Sequence, residues 1–300
     1  MEIVVPPTLA ALHVRYERDA GPAWTASLPG LAERMLERWR LRVDGGAMHG
    51  VIALVLPVLR ADGSPAALKL QPVTEETRGE GPVLRAWAGD GAVLLLDEDP
   101  ASGSLLLERL DGGRSLESLP DSWEALEILT GLLARLVSVP APAGLRSLGD
   151  IAAGMLAAVP EAVVGADDRR WLGVLAGAVR EVAGEPGDRL LHWDLHYGNV
   201  LAGQREPWLA IDPKPLAGDP GFELLPALHN RWDDVQATGN IRISVLKRFD
   251  LMTEMLGLDR GRAVSWTLGR ILQDALWDIE DGNPAKDPTH LAIADALLSR

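Results

Sequence analysis

The stretch from Leu190 to Lys214, LLHWDLHYGNVLAGQREPWLAIDPK, limits most strongly what this chain can become. Leu190–Leu191 and Trp208 to Ile211 are short apolar runs that read as buried strands. Asn199 to Ala202 is expected to pair with Trp208 to Ile211 as a hairpin turning near Gly203–Gln204. Three oxygen-bearing side chains, Asp194, Asn199 and Asp212, then fall at strand ends. Two carboxylates and an amide in this arrangement suit a magnesium ion and a general base. Hard oxygen donors hold the ion, and one aspartate remains to take a proton. His192, Asp194 and His196 also alternate. On an extended strand they would share one side, as ligands of a metallohydrolase could. That alternative leaves Asn199 and Asp212 without work, so His192 reads instead as an organiser of the loop beneath Asp194.

His192-Trp193-Asp194-Leu195-His196-Tyr197-Gly198-Asn199 has the H-x-D-x-x-x-x-N form of a kinase catalytic loop, and Asp212 stands where protein kinases carry the aspartate of Asp-Phe-Gly. Together with the downstream AIDPKPLAGDPGFEL, the wording resembles the aminoglycoside phosphotransferases. Within them it is most similar to the streptomycin 6-phosphotransferase and hydroxyurea-resistance kinase family, from roughly Trp39 to the C-terminus. The resemblance implies an α+β, bilobal, protein-kinase-like fold: an antiparallel sheet lobe with a helix over residues 1–109, preceded by an N-terminal helix, and a larger, mainly helical lobe over 110–300. It also implies ATP as phosphoryl donor and Mg2+ as cofactor, with Asn199 and Asp212 on the metal and Asp194 as the catalytic base. Asp219, in Gly218-Asp219-Pro220, reads as structural.

The N-terminal half agrees with that expectation. Ser27 to Leu41 reads as an amphipathic helix with Leu31, Met35 and Trp39 on one side. Two strands follow within Leu41–Arg60, and a third at Ala66–Leu70 after the turn Asp62-Gly63-Ser64-Pro65, a hairpin pattern rather than a βαβ unit. Gly45 and Gly46, with Gly50, would let a turn lie close over ATP phosphates, although their spacing is neither G-x-G-x-x-G nor a Walker loop. Lys69 sits among apolar neighbours, and the resemblance assigns it to the α- and β-phosphates. Such a lysine needs a carboxylate from the next helix. Glu80 aligns best, with Glu76 as substitute, even though Gly79-Glu80-Gly81-Pro82 is poor helix interior and Pro82 favours a helix start. Val93–Leu96 and Ser104–Leu107 read as the last strands. A hinge is expected at Glu108-Arg109-Leu110, before Asp111-Gly112-Gly113, where the backbone of Glu108 and Leu110 would meet the adenine edge.

Beyond it the chain reads as helical, from a cap at Asp121 or Ser122, with further helices at Asp150–Val159, Asp167–Val182 and from Trp232 onward. In the last of these, Asp274, Trp277, Asp278 and Asp281 gather with Arg270 on one face. Carboxylates beside an indole suit a cationic or sugar-like ligand. Asp274, Trp277, Asp278, Glu280 and Asp281 are therefore candidate substrate residues. His196 is a further candidate, unless it only closes its loop.

Charge narrows the partners. The chain has 29 basic and 43 acidic residues, a net charge of −14, which argues against nucleic acid or an anionic membrane and suits a cationic small molecule. It has no cysteine, so thiolate metal sites and disulfides are excluded. Met1 to Pro7 lacks the basic region and apolar core of a secretory leader, so a cytoplasmic location is expected. The acceptor remains open between a streptomycin-like aminoglycoside and an amino sugar, hydroxyurea or other small hydroxyl compound. A nucleotide-binding pseudokinase is a third reading, disfavoured because a mere binder has no use for Asp194.

Overall fold

The computed structural model describes residues 3–16, 20–162 and 164–299. Met1 and Glu2, the head of the stretch read for a leader, lie outside them. No helix among the described residues is long and apolar enough to cross a membrane. The chain divides into two compact units, residues 1–111 with 203–205, and residues 112–202 with 206–300.

The first unit contains α1 (Pro7–Tyr16), α2 (Ala20–Arg38), β1 (Arg42–Val43), β2 (Met48–His49), β3 (Leu54–Leu59), β4 (Pro65–Leu70), α3 (Glu80–Trp87), β5 (Leu95–Asp99) and β6 (Ser104–Glu108). Its sheet runs β1-β3-β4-β6-β5, with β2 also on β3, and every pairing is antiparallel. Alternation along β4 sends Ala66, Leu68 and Leu70 into a core with Leu54, Leu56, Val58 and Leu106, closed by Leu9, Leu28, Leu31 and Met35 of the two N-terminal helices. Lys69 takes the opposite parity and faces away from that core.

Several boundaries differ from the sequence reading: the helix expected over Ser27–Leu41 is α2, Ala20–Arg38, and the stretch Leu41–Arg60 holds three strands, β1 to β3, where two were expected. The strand expected at Val93–Leu96 begins only at Leu95, because the Leu94 amide donates to the Glu108 carboxylate at 2.7 Å. The helix expected from Pro82 starts at Glu80, after a 3-10 turn over Thr77–Gly79. Pro82 is harmless in that first turn, where its missing N–H would have had no partner.

Strand β7 (Asp111–Ser115) leads into the second unit: α4 (Ser122–Leu136), β8 (Arg146–Ser147), α5 (Leu148–Glu161), α6 (Ala166–Val182), β9 (Arg189–Leu191), β10 (Val200–Ala202), β11 (Trp208–Ala210), β12 (Leu216–Gly218), α7 (Leu224–His229), α8 (Trp232–Ala237), α9 (Ile241–Leu256), α10 (Arg260–Glu280) and α11 (Pro288–Leu298). Asp121 caps α4 by accepting from the amides of Trp123 and Glu124, and Leu126, Leu129, Leu133 and Leu136 are fully buried along it. The hairpin β10–β11 pairs Val200 with Ala210 and Ala202 with Trp208, and β7 adds a third strand. A second small sheet, β8-β12-β9, carries β9 antiparallel to β12. These two sheets frame the loops described next.

Candidate active site

Strand β9 ends at Leu191, and the chain then turns sharply. Trp193 has φ 61°, a left-handed conformation that costs a bulky residue on the order of 1–2 kcal/mol. The surroundings hold it there. Its amide donates to Glu223 Oε1 at 2.6 Å, its indole N–H to Gln273 Oε1 at 3.1 Å, and its carbonyl accepts from Arg270 at 2.9 Å. Arg146 lies over the buried ring, 4.9 Å from its centroid. This turn ends the alternation that a metallohydrolase reading needs. His192 is fully buried and its Nε2–H donates to the Ile211 carbonyl at 2.9 Å. Burial pushes the His192 imidazole down to about 4, so it works as a neutral spacer.

Asp194 follows, half-buried. Its carbonyl accepts from the His196 amide at 3.0 Å and from Asn199 Nδ2 at 3.0 Å. His196 Nδ1 accepts from the Gly198 amide at 3.1 Å, capping the 3-10 turn Tyr197–Asn199. The side chain that was a substrate candidate therefore closes its own loop through Nδ1. Asn199 is placed from two sides, because its carbonyl also accepts from the Ile211 amide at 2.9 Å. Asp212, next along, has φ 63° and is exposed. The Lys214 amide donates back to the His192 carbonyl at 2.9 Å. Asp194, Asn199 and Asp212 are thus tied into one knot by main-chain bonds through His192 and Ile211. The donor set suits magnesium: Asn199 Nδ2 is engaged by the Asp194 carbonyl, so Oδ1 is the atom Asn199 would offer an ion, and Asp212 would add a second hard oxygen.

Lys214 was missed as a site residue, although it stood inside the quoted motif. Its Nζ lies 3.3 Å from Asp194 Oδ2. Glu223 was missed too. It is fully buried beside the turn at Trp193, and burial pushes its carboxyl up to about 7. Nothing local in Gly221-Phe222-Glu223 announces this, since the contact to Trp193 spans 30 residues. Asp219 braces the preceding turn by accepting from the Gly221 amide at 2.8 Å and pairing with Arg262.

In the first unit, Lys69 Nζ donates to Glu80 Oε1 at 2.7 Å and Oε2 at 2.8 Å, and Gln71 donates to Oε2 at 2.6 Å. Lys69 and Glu80 are 5% and 2% exposed, so this charge pair is held largely away from water. Glu80, the first choice from the sequence ahead of Glu76, is thus a carboxylate bonded to Lys69. Gly45 has φ 154° and sits against Pro57, whereas Gly46 has open space where a side chain would be. The Glu108 amide donates to the Leu94 carbonyl at 2.9 Å, so that amide is engaged within the first unit. Its carboxylate is engaged by Arg205 at 2.7 Å. Leu110 lies between β6 and β7.

The α10 candidates occupy the last part of that helix, with Arg270 5.7 Å from the centre of the Trp277 ring. Arg270 joins Asp274, at 3.2 Å, to the Trp193 carbonyl. Trp277 is 43% exposed, with its ring 6.4 Å from that of Trp193. Burial pushes the Asp278 carboxyl up, with Asp274 and Asp287 adding to the shift. Glu280 and Asp281 lie exposed at the helix end, where the Asp281 amide donates to the Trp277 carbonyl at 2.9 Å.

Residues 38–282 match the family model described as aminoglycoside/hydroxyurea antibiotic resistance kinase. The chain belongs to that family. It is 59% identical to a streptomycin 6-kinase of Streptomyces glaucescens, covering 98% of this chain and 97% of the relative. It is 56% identical to a hydroxyurea phosphotransferase of Kitasatospora aureofaciens, covering 99% of this chain and 87% of the relative. Among solved structures, the apoenzyme of a macrolide 2'-phosphotransferase from Brachybacterium faecium superposes with a TM-score of 0.58 at 18% identity, over 91% of this chain and 98% of that one. That likeness fixes the fold as α+β and protein-kinase-like.

Proposed function

We propose that this family member transfers the γ-phosphoryl group of ATP to a hydroxyl of a streptomycin-like aminocyclitol. The observation that carries the reading is the 59% identity to a streptomycin 6-kinase across nearly the whole of both chains. Asp194 accepts the proton of the attacking hydroxyl as the new P–O bond forms and the bond from Pγ to the bridging oxygen breaks, with ADP as the leaving group. Lys214, at 3.3 Å from Asp194 Oδ2, holds that carboxylate and presents positive charge beside the reacting oxygens. Lys69 binds the α- and β-phosphates, and Glu80 fixes its ammonium with two hydrogen bonds. Asn199 Oδ1 and Asp212 would hold magnesium. The chemistry that ion supplies when bound is neutralisation of charge on the phosphate oxygens. Placement and electrostatics then supply most of the acceleration, with no covalent enzyme intermediate. Trp277 and the carboxylates of Asp274 and Asp278 offer a cationic acceptor stacking and charge.

The 56% identity to a hydroxyurea phosphotransferase supports a second reading, in which the acceptor is hydroxyurea. ATP consumption with product mass measured across streptomycin, other aminoglycosides, amino sugars and hydroxyurea separates the two. A phosphate added to streptomycin with high kcat/KM is the expected result. Turnover of hydroxyurea alone would replace the first reading with the second, and no turnover of any acceptor would leave a nucleotide binder.

A further inference from the structure

One side-chain cluster in the second unit takes no part in the chemistry above. His229 is the last residue of α7, Asp287 caps α11, and His290 lies in the first turn of α11. One ligand atom from each lies within 4.8 Å of the others, and this is the sole His, Asp and Glu group of that kind among the described residues. The two imidazole rings sit 4.6 Å apart by centroid, tilted 59°. Asp287 Oδ1 is occupied, accepting from the amides of Thr289 at 2.8 Å and His290 at 2.9 Å, which leaves its other oxygen for a ligand.

His290 is what raises this cluster above a coincidence of polar groups. Its side chain is 9% exposed and its Nε2 is buried with no hydrogen-bond partner. Asp274 Oδ2 is 3.8 Å away, beyond hydrogen-bond reach. An unsatisfied buried nitrogen costs folding free energy unless something meets it. Two imidazoles and a carboxylate, with a second carboxylate close by, form the donor set that zinc and neighbouring transition metals take, and that magnesium does not. Tetrahedral zinc, with Zn–N of about 2.0–2.1 Å, needs ligand atoms about 3.3 Å apart. Small side-chain rotations close that gap. Lys286, beside the cluster in sequence, is paired with Asp168 at 3.1 Å.

We propose that His229, Asp287 and His290 form a divalent transition-metal site of the zinc class, with Asp274 or water in the fourth position, that pins the start of α11 to the end of α7. Such an ion would fasten the loop of residues 281–287 between α10 and α11. Through Asp274 and Arg270 it would also bear on Trp193, the residue before Asp194.

The test needs no turnover. Full-length protein stripped with chelator and free of nucleotide is titrated with Co2+, followed by its visible d–d absorption, and with Zn2+ in competition. Thermal melting is recorded with and without Zn2+. The expected result is one equivalent bound with the intense bands of four-coordinate cobalt and a raised Tm. His229→Gln and His290→Gln should each weaken binding roughly tenfold or more. Asp287→Asn, whose amide keeps the helix cap, should weaken it while leaving the metal-free Tm near wild type. Asp212→Asn should leave the cobalt bands unchanged. Absence of stoichiometric binding overturns the proposal. So does binding that survives both histidine substitutions, or that is lost with Asp212→Asn.

Discussion

Asp212, proposed as a magnesium ligand, sits in a strained backbone conformation. A non-glycine residue at φ 63° costs on the order of 1–2 kcal/mol, and asparagine tolerates that region better than most side chains. Asp212→Asn should therefore fold as well as wild type, or slightly better, while phosphoryl transfer falls by roughly a hundredfold or more. Melting curves and steady-state kinetics on the same preparation check this; a destabilised variant would show that the carboxylate itself holds the turn. Lys214 makes a different prediction. It and Asp194 are both partly exposed, so their ion pair adds little to stability. Lys214→Met should leave the Tm within a degree or two. It should lower kcat by about a hundredfold, with a smaller change in KM for ATP. An unaltered kcat would mean the lysine is a bystander.

At the scale of elements, the β4–α3 pair is the most exacting. Removing one partner of a buried charge pair leaves the other unpaired at a cost of about 3–5 kcal/mol, whereas replacing both with apolar groups is often close to neutral. Lys69→Met and Glu80→Gln should each destabilise strongly, and the Lys69→Met/Glu80→Leu double variant should recover much of the loss. A double-variant cycle in denaturant measures it, and simple additivity would deny the coupling. The same elements mark where the sequence was legible. The turn Asp62-Gly63-Ser64-Pro65 marked where β4 begins, and Lys69 stood out as a cation among apolar neighbours. The hairpin register around Asn199 followed from apolar runs flanking Gly203–Gln204. What stayed hidden was non-local. The start of β5 was set by a carboxylate from β6, and the environment of Trp193 by side chains from two later helical segments. His229 and His290, far apart in sequence, carry no spacing that marks them as neighbours.

Over the whole molecule, two buried groups with opposite leanings shape the response to pH. The Glu223 carboxyl keeps its proton up to about 7 in the native state, against 4.5 when exposed. Between those values the folded protein binds more protons than the unfolded chain, so this group's contribution falls as pH rises. His192 stays neutral down to about 4, against 6.5 when exposed, so its contribution falls as pH drops through that window. The two slopes oppose each other between pH 4.5 and 6.5. Glu223→Gln removes the first. The variant should gain up to about 3 kcal/mol over wild type above pH 7. Its stability should drop more steeply on acidification from 6.5 to 4.5. Denaturant melts across that range test it, and parallel curves for the two proteins would count against a protonated Glu223. In regulated protein kinases, closing the lysine–glutamate pair is a step that phosphorylation and helix positioning control. Here the pair is sealed from solvent, bonded through both carboxylate oxygens and fastened again by Gln71. The contact that those kinases make on activation is therefore already made here by the chain's own packing, with no modification needed to close it.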